Sequence, residues 1–340
     1  MQGSVLYLGE DFEHSTSRQR ACAFERLGWS VKHINPLAYI PKCLQIPALF
    51  NRIGQYSLPF FVEQGLLRDI ENFQFDLVWV DGGHLISSSL LKKLAAKGMK
   101  LINFNHDDPF GGGEGNKWKV YLQSVPYYDV LVVVRDENVK EARVCGAKKV
   151  EFTHFSYDPI VHAPRDMTET EKAHWSFDVL FLGTWKKERG AFFKYLAQKE
   201  IPFVIYGDHW QKAPEFSFFK HAWKGKSLWG DDYARAIQSS RVCLGLVSKT
   251  SRDVHTTRSL EIPAIGGLLC AERTSMHTTL YKENEEALFW DSCEECVEVC
   301  RKALNNPSWA SEIALAGHRK VQTLQLSHDA VISRILKNNV

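Results

Sequence analysis

The stretch Asp253–Ala271, DVHTTRSLEIPAIGGLLCA, combines an acidic residue, several hydrogen-bond donors, a short helical pattern and a Gly-Gly turn before an apolar run. Glu261 lies near the start of the predicted helix, where its carboxylate can accept hydrogen bonds from the two neighbouring hydroxyls of a ribose. Free amides at a helix start bind a diphosphate. Asp253, eight positions earlier, is placed to face a sugar. This order predicts a nucleotide-sugar site beside a strand of an α/β fold.

Outward from this stretch, apolar runs with strand character alternate with segments whose apolar residues recur every three to four positions. In the first half the predicted strands are Val5–Leu8, Ser30–Ile34, Leu77–Val80, Lys100–Asn105 and Val130–Val134. The predicted helices between them are Ser17–Leu27, Phe60–Asn72, Ser87–Lys97 and Lys117–Ser124. The second half repeats the alternation from Ser176 to a helix at Glu294–Leu304, and a last helical segment covers Trp309–Leu336. Such alternation predicts two parallel sheets covered by helices, each Rossmann-like.

Between the halves lies a stretch that suits a linker better than a sheet element, because it contains Pro159, Pro164 and a run of charges. We predict a Rossmann-like acceptor-binding domain over residues 1–158, a linker over 159–175 and a Rossmann-like nucleotide-sugar-binding domain over 176–325. The final helix, 326–340, is expected to pack back on the first domain. Residues 39–58 are an irregular insertion around several prolines, interpreted as packing on their own domain.

The core of the opening stretch resembles the retaining glycosyltransferases of family 4, and more closely the spore-maturation glycosyltransferase-like branch of the group 1 glycosyl transferases. The matching residues are Arg258, Leu260, Glu261, Ile262, Pro263, Ala264, Gly266 and Gly267. Further matching stretches lie at 157–164, 178–183, 105–109 and 316–318, so the resemblance covers nearly the whole chain. It implies the GT-B architecture, in which two Rossmann-like domains face a cleft and a C-terminal helix crosses back. The larger family usually has glutamate where this chain has Asp253.

Composition and charge exclude several classes of protein. The chain has 340 residues with 42 basic and 40 acidic side chains, so its overall charge gives no case for nucleic-acid binding. Its N-terminus lacks the pattern of a signal peptide, and no apolar run approaches the ~20 residues of a membrane span. We therefore expect a cytoplasmic protein without a membrane span. Its eight scattered cysteines form no disulfide framework.

Three of the cysteines, Cys293, Cys296 and Cys300, are spaced so that they share one face of a helix. They offer three metal ligands, whereas a structural zinc site needs four. The alternative is that the thiols act as small buried hydrophobic groups on the core face of the helix, and this interpretation is favoured.

Donor-binding residues are predicted at three strand ends of the second half. After the first of these strands, the loop from Gly183 supplies Arg189 as the first choice for the phosphates and Lys187 as the second, with Lys186 solvated; alternatively the charged run only solvates the helix start. Arg258 lies one turn before Glu261 on a similar face. The full set adds groups that can donate to phosphate, cap the helix or face the base: His255, Thr257, Tyr206 and Gly207.

Catalytic and acceptor-side residues are predicted at strand ends of the first half. Asp107 is the preferred group to orient or deprotonate an acceptor hydroxyl and His106 is the next; the alternative is an Asx-type turn before Pro109. The same wall is predicted to include Asp108, Asp81 and His84. Three residues after the first strand complete this set, although helix capping explains them equally well: Gly9, Ser15 and Arg18.

These residues predict transfer of a sugar from a nucleoside-diphosphate sugar to an acceptor. By resemblance the transfer is expected to be retaining and independent of a divalent metal, with no cofactor and no metal ligands. The acceptor is left open among a glycan, a protein, a small molecule and a modified nucleic acid, and the oligomeric state is open too. Alternatives are a nucleotide-sugar epimerase and a non-catalytic binding or structural protein. A nucleic-acid base glycosyltransferase is favoured less; it would use the aromatic stretch that contains Lys212, Lys220, Lys224 and Lys226.

Overall fold

The structure is a computed structural model that describes residues 2–44 and 58–340. These residues form two compact units. The first unit contains the chain up to Phe155 together with Thr250–Arg252 and His328–Val340. The second contains Ser156–Lys249 and Asp253–Ser327.

The first unit is a parallel six-stranded sheet with helices between its strands. The strands are β1 (Gly3–Leu8), β2 (Trp29–Ile34), β3 (Leu77–Asp81), β4 (Lys100–Asn105), β5 (Val130–Val133) and β6 (Val150–Phe152), in the order β2-β1-β3-β4-β5-β6. The helices are α1 (Thr16–Arg26), α2 (Leu58–Asp69), α3 (Ser88–Ala96), α4 (Lys119–Ser124) and α5 (Asp136–Val144). Its central strands are buried, which explains their continuous apolar sequence.

The second unit is also a parallel six-stranded sheet. Its strands are β7 (Val179–Leu182), β8 (Phe203–Tyr206), β9 (Trp223–Gly225), β10 (Val242–Gly245), β11 (Leu269–Glu272) and β12 (Leu288–Trp290), in the order β12-β11-β10-β7-β8-β9. The helices are α6 (Glu169–Trp175), α7 (Lys187–Gln198), α8 (Phe216–Phe219), α9 (Gly230–Ser239), α10 (Arg258–Ile265), α11 (Ser275–Leu280), α12 (Cys293–Asn305) and α13 (Pro307–Thr323).

The last helix, α14 (His328–Asn339), belongs to the first unit and packs on α1. Arg26 of α1 donates from Nε and Nη2 to the two carboxylate oxygens of Asp329, each at 2.7 Å. The predicted helical segment Trp309–Leu336 is divided in the structure between α13 and α14. The chain turns between them at Gln325, whose φ of 54° is left-handed and cannot continue a helix.

The predicted fold class, two Rossmann-like α/β units, is confirmed by these two sheets. The predicted strands are present within a few residues of their expected limits. Sequence patterns missed three strands of three residues each, β6, β9 and β12, because so short a run carries no periodicity. They also missed α5, which is mostly polar.

Two stretches were predicted to connect the sheet elements, and the structure describes one of them fully and the other only in part. Residues 159–175, predicted as a linker, lie in the second unit and end in α6, whose start is fixed by a capping box between Thr168 and Glu171. The predicted insertion 39–58 lies largely outside the described residues. Its described part forms 3-10 turns at Pro36–Tyr39 and Lys42–Leu44.

Helix α10 contains a proline that its surroundings accommodate. Pro263 has no N–H to donate to the carbonyl of Ser259, and the Tyr281 hydroxyl donates to that carbonyl instead at 2.8 Å. The helix ends at Gly266, whose φ of 95° is left-handed. Gly317 of α13 lies beside this helix, since a Cβ there would lie 3.9 Å from Pro263 Cβ. Gly317 must be glycine because the same Cβ would lie 2.4 Å from the Glu286 carbonyl oxygen.

Tyr281→Phe is therefore expected to lower the free energy of unfolding by about 1–3 kcal/mol, because it leaves a buried carbonyl without a donor. In a Pro263→Ala background the same change should cost less, since the new amide can donate to Ser259. Urea unfolding of the two single variants and the double variant measures this coupling. Additive effects would show that Tyr281 acts only by packing.

Candidate functional site

The carboxyl ends of β7 and β8 approach each other at two glycines. A Cβ on Gly207 would lie 2.0 Å from the carbonyl oxygen of Gly183, so only glycine fits there. Trp210 Nε1 donates to that same oxygen at 2.9 Å. Tyr206 is half-buried beside the ring of Trp175. The predicted residues at these two strand ends thus lie together at the edge of the sheet where ligands of α/β folds bind.

Glu261 lies in the first turn of α10 and is only 4% exposed. The Tyr233 hydroxyl donates to its Oε2 at 2.6 Å. His162 Nε2 lies 3.6 Å from its Oε1. Because His162 Nδ1 accepts the Asp158 amide at 3.0 Å, the neutral ring carries its hydrogen on Nε2 and faces the carboxylate. A carboxylate oxygen has room for further hydrogen bonds, so Glu261 can still accept two hydroxyls.

The charge of Glu261 is stabilised by its neighbours. Burial acts to raise its pKa, but electrostatic interactions with His162 and Arg258 and the hydrogen bond from the Tyr233 hydroxyl hold that pKa below the usual value. The group is therefore a carboxylate at neutral pH. Sequence reasoning missed Tyr233 and assigned His162 to a linker. No local signal marks either residue, because both meet Glu261 only through the fold.

Two guanidinium groups of the second unit, those of Arg189 and Arg258, influence each other electrostatically, and Arg258 also acts on Glu261. Arg189, on α7, is buried, donates from Nη1 to the Thr184 carbonyl at 2.6 Å and lies over the Phe181 ring. Burial and the charge of Arg258 lower its pKa to about 10. Within residues 2–44 and 58–340, the buried Nε atoms of both arginines lack a hydrogen-bond partner. Two cations that repel each other and have unused donors are suited to an anion between them.

The other residues predicted to bind the sugar nucleotide have varied surroundings in the second unit. Lys187 is exposed at the start of α7, whereas Lys186, expected to be solvated, bonds through Nζ to the Ser248 hydroxyl. His255 is 1% exposed, so its imidazole is buried within the second unit. Thr257 makes no side-chain cap on α10, which rules out the capping alternative. Asp253 is half-buried, and its amide donates to the Ser248 carbonyl at 3.0 Å.

The first unit contains a cavity of about 280 Å³ at the carboxyl ends of β1, β3 and β4. Five predicted residues line it: Gly9, Asp81, His84, His106 and Asp107. Apolar side chains such as Leu37 and Ile86 form other parts of its wall. The volume is near the lower end of ligand pockets, which suits one small group.

Asp81 differs from the prediction of a free wall carboxylate. It forms a buried ion pair with Arg20, with Arg20 Nε and Nη2 at 2.6 and 2.9 Å from its two oxygens. The Tyr7 hydroxyl donates to it at 2.7 Å. Burial acts to raise the pKa of Asp81, but Arg20 and His106 hold it below the usual value. Asp81 therefore anchors the cavity wall.

Asp108, predicted on the same wall, does not line this cavity. The side chain is buried, and it accepts from Arg252 Nε and Nη2, both at 2.7 Å, and from Asn138 at 2.9 Å. Because all of these partners lie within the first unit, Asp108 holds the Thr250–Arg252 segment in that unit. It does not line the cavity.

Ser15 and Arg18 do not line the cavity either. Ser15 caps α1 by accepting the Arg18 amide at 3.1 Å, which is the capping role considered as an alternative. The Arg18 guanidinium lies 3.4 Å from His33 Nδ1. Gly9, by contrast, needs to be glycine, because a Cβ would lie 2.3 Å from the Ser17 hydroxyl.

Asp107 lies in an Asx-type turn and also lines the cavity, so the two interpretations of this loop are compatible. Its amide donates to Asn105 Oδ1 at 2.9 Å, which is an Asx-type turn, and its carboxylate lines the cavity. Burial acts to raise its pKa, but the charges of His106 and Lys117 hold it below the usual value. Burial and Lys117 lower the pKa of His84 to about 4. Asp107 is thus charged and His84 neutral at physiological pH.

The cysteine face of α12 lies in the core. Cys296 and Cys300 are buried with Cys270 of β11 in the second unit, while Cys293 is half-buried. Over residues 2–44 and 58–340, no group of three or more ligating side chains is arranged to hold a metal ion. The burial of these thiols matches the core-face interpretation.

Residues 188–337, which include Glu261, Arg258, Arg189 and Tyr233, match the model of a family described as glycosyl transferase-like. Over these residues the chain is similar to that family. The prediction of a group 1 glycosyltransferase is confirmed by this match. No curated protein matches the chain significantly.

Solved structures of glycosyltransferases share the fold along nearly the whole chain. A sucrose-phosphate synthase from Thermosynechococcus elongatus is 13% identical, with a TM-score of 0.71 over 99% of this chain and 98% of that one. Anabaena HepE in complex with UDP-glucose is 9% identical, with a TM-score of 0.65 over 99% and 100%. A UDP-forming trehalose-phosphate synthase from Burkholderia xenovorans, in complex with glucose-6-phosphate, is 10% identical, with a TM-score of 0.65 over 98% and 99%. Among the described helices, none is long and apolar enough to cross a membrane.

Proposed function

We propose that this glycosyltransferase binds a UDP-sugar in its second unit and transfers the sugar to a hydroxyl group of an acceptor bound in its first unit. The observation that carries the proposal is the arrangement around Glu261. A charged carboxylate with unused lone pairs is suited to the ribose, and Arg189 and Arg258, each with an unused buried Nε donor, are suited to the diphosphate. Structural neighbours crystallised with UDP and UDP-glucose support uridine as the base.

In the proposed reaction, the bond between the anomeric carbon and the phosphate oxygen breaks and a bond to the acceptor oxygen forms. The acceptor proton moves to a phosphate oxygen of the departing UDP. Arg189 and Arg258 would stabilise the charge that grows on the diphosphate, as fixed cations do for other leaving groups. By resemblance to the family, we propose that the anomeric configuration is retained and that the two arginines take the place of a divalent metal.

Thermal unfolding of the purified protein with UDP, GDP, ADP, TDP and CDP tests the donor site. A ligand that binds only the folded state stabilises it by about 2.7 kcal/mol at one hundred times its Kd. We expect UDP to raise the unfolding temperature most, and EDTA to leave the effect unchanged. If none of the five diphosphates changes the unfolding temperature, the proposal fails.

Incubation with labelled UDP-hexoses separates transfer from the alternatives. A transferase releases UDP and moves the label to an acceptor, whereas an epimerase leaves the sugar on the nucleotide. A non-catalytic protein binds UDP without consuming the sugar nucleotide. Proton NMR of the product's anomeric position then decides between retention and inversion. Salt-dependent binding of DNA through the exposed Lys212, Lys220, Lys224 and Lys226 would support a nucleic-acid acceptor.

A further inference from the structure

His277 of helix α11 is buried in the second unit and is neutral. The residue is 1% exposed, and its ring stacks on that of Phe289 with the centroids 5.9 Å apart. Burial lowers its pKa, and the hydrogen bond with the Glu272 backbone opposes that shift only in part. Because the usual pKa of histidine is about 6.5, the imidazole carries no charge at pH 7.

The tautomer of this neutral ring is fixed by the backbone of β11. Nδ1 of His277 lies 2.6 Å from the carbonyl oxygen of Glu272. A carbonyl oxygen only accepts hydrogen bonds, so the ring carries its hydrogen on Nδ1. Nε2 is left with a lone pair and can only accept.

Nε2 of His277 accepts a hydrogen bond from the helix that carries Glu261. Ser259 lies in the first turn of α10, and its Oγ is 2.7 Å from Nε2, so the hydroxyl donates. The same Oγ accepts the amide of Thr256 at 3.0 Å. One hydrogen-bond network therefore runs from the Thr256 amide through Ser259 and His277 to the Glu272 carbonyl. It joins the start of α10 to the end of β11.

The acceptor on His277 determines how the Ser259 hydroxyl is used. A serine within a helix otherwise donates to the carbonyl three or four residues earlier, which competes with the backbone hydrogen bonds of the helix. With its hydrogen directed to His277, Ser259 keeps its lone pairs for the Thr256 amide. The turn from Thr256 to Ser259 is therefore held by a side chain from outside α10.

Helix α11 and its ends contact the start of α10 at two more points. The Tyr281 hydroxyl donates to the Ser259 carbonyl at 2.8 Å. Thr274, which caps α11, donates from its hydroxyl to the Val254 carbonyl. Together with the bond to His277, these contacts fix the backbone just before and within the first turn of α10.

We propose that His277 is a positioning residue for the sugar nucleotide, acting through Ser259 on the turn that carries Arg258 and leads to Glu261. The inference rests on the proposed function, because it concerns the site where UDP is expected to bind. Both ring nitrogens are occupied within the protein, at Glu272 and Ser259, so His277 acts only by placing other groups. A preorganised turn loses less conformational entropy when a ligand binds, so loosening it weakens affinity.

A matched pair of substitutions separates the two hydrogen bonds of the ring. The amide of glutamine reaches the position of Nε2 and can accept from Ser259, whereas that of asparagine reaches the position of Nδ1 and can donate only to Glu272. UDP is titrated by calorimetry at a temperature where circular dichroism shows every variant folded. We expect His277→Gln to stay within about threefold of the wild-type Kd, and His277→Asn to weaken binding at least about tenfold, the equivalent of about 1.4 kcal/mol.

Two further variants test the network and provide a control. Ser259→Ala should weaken UDP binding as much as His277→Asn, and the double variant should bind no more weakly than either, because both changes break the same network. His318→Asn is the control, since His318 Nδ1 lies 2.9 Å from the Pro263 carbonyl, farther along α10. It should leave the Kd for UDP unchanged.

Nitrogen and carbon NMR of the full chain with labelled histidine tests the tautomer without relying on the fold of a variant. The signal of His277 is identified by its loss in His277→Gln. We expect a neutral ring with its hydrogen on Nδ1 in the wild type at pH 7. A ring with its hydrogen on Nε2, or on both nitrogens, overturns the proposal.

The UDP titration separates this inference from the proposed function. If UDP does not bind the wild type, the proposed function fails and the positioning role fails with it. If UDP binds the wild type but the two His277 variants share one Kd, whether unchanged or weakened, His277 acts only by packing. In that case, or if His318→Asn weakens binding equally, the positioning role is overturned and the donor site stands.

Discussion

Glu261→Ala is expected to weaken UDP binding by at least about 100-fold. The variant loses two charge-assisted hydrogen bonds to the ribose, each worth about 1.5–3 kcal/mol, and tenfold in affinity corresponds to about 1.4 kcal/mol. It also removes the negative charge that stabilises the Arg258 cation. Calorimetric titration of UDP into the wild type and the variant measures the loss.

The same substitution leaves the Tyr233 hydroxyl and His162 Nε2 without their acceptor, which costs about 1–3 kcal/mol of stability. The comparison must therefore use the UDP-induced shift of each variant and not the raw unfolding temperatures. Glu298→Ala, which removes an exposed glutamate from α12, is the matched control and should bind UDP like the wild type. A Glu261→Ala protein that folds and still binds UDP within threefold would show that Glu261 is not a ribose ligand.

Asp81→Asn is expected to lower the free energy of unfolding by about 3–5 kcal/mol. The change leaves the buried Arg20 cation without its carboxylate, and breaking a buried ion pair from one side costs about this much. It also weakens the bond from the Tyr7 hydroxyl. Asp231→Asn is the control, because its ion pair with Arg165 is exposed and should contribute at most about 1 kcal/mol. Urea unfolding at pH 7 measures both changes, and equal losses would contradict the assignment of Asp81 as an anchor.

The decrease in the free energy of unfolding at low pH gives an independent test of the ion pair formed by Asp81. Its pKa is lower in the folded protein than in the unfolded chain, so its contribution is complete above the unfolded value of about 3.9. That contribution is lost as the pH falls through the folded value. The urea midpoint of the wild type should therefore drop below pH 4, and Asp81→Asn should show a smaller drop over the same range.

Where the sequence predicted local structure well, the signal was local. Helix α10 begins at Arg258 and ends at Ile265 as predicted, because Gly266 supplies the left-handed residue that ends it. The carboxyl ends of β1, β3 and β4 were correctly expected to gather polar side chains, since parallel strands end at one edge of a sheet. The ion pair of Asp108 with Arg252 could not be predicted, because the two residues are 144 positions apart in the chain.

By itself, the sequence determined the two parallel sheets and the family resemblance. It also placed four polar residues at strand ends or helix starts: Glu261, Arg189, His106 and Asp107. These features could be predicted because apolar periodicity and turn-forming glycines act over a few residues. Only the tertiary structure decided which of these groups keep unused hydrogen-bonding capacity. Tyr233 meets Glu261 across 28 residues, and Arg20 meets Asp81 across 61 and His106 across 86. These partners set the charge of the carboxylates, and their contacts exist only once strands and helices pack.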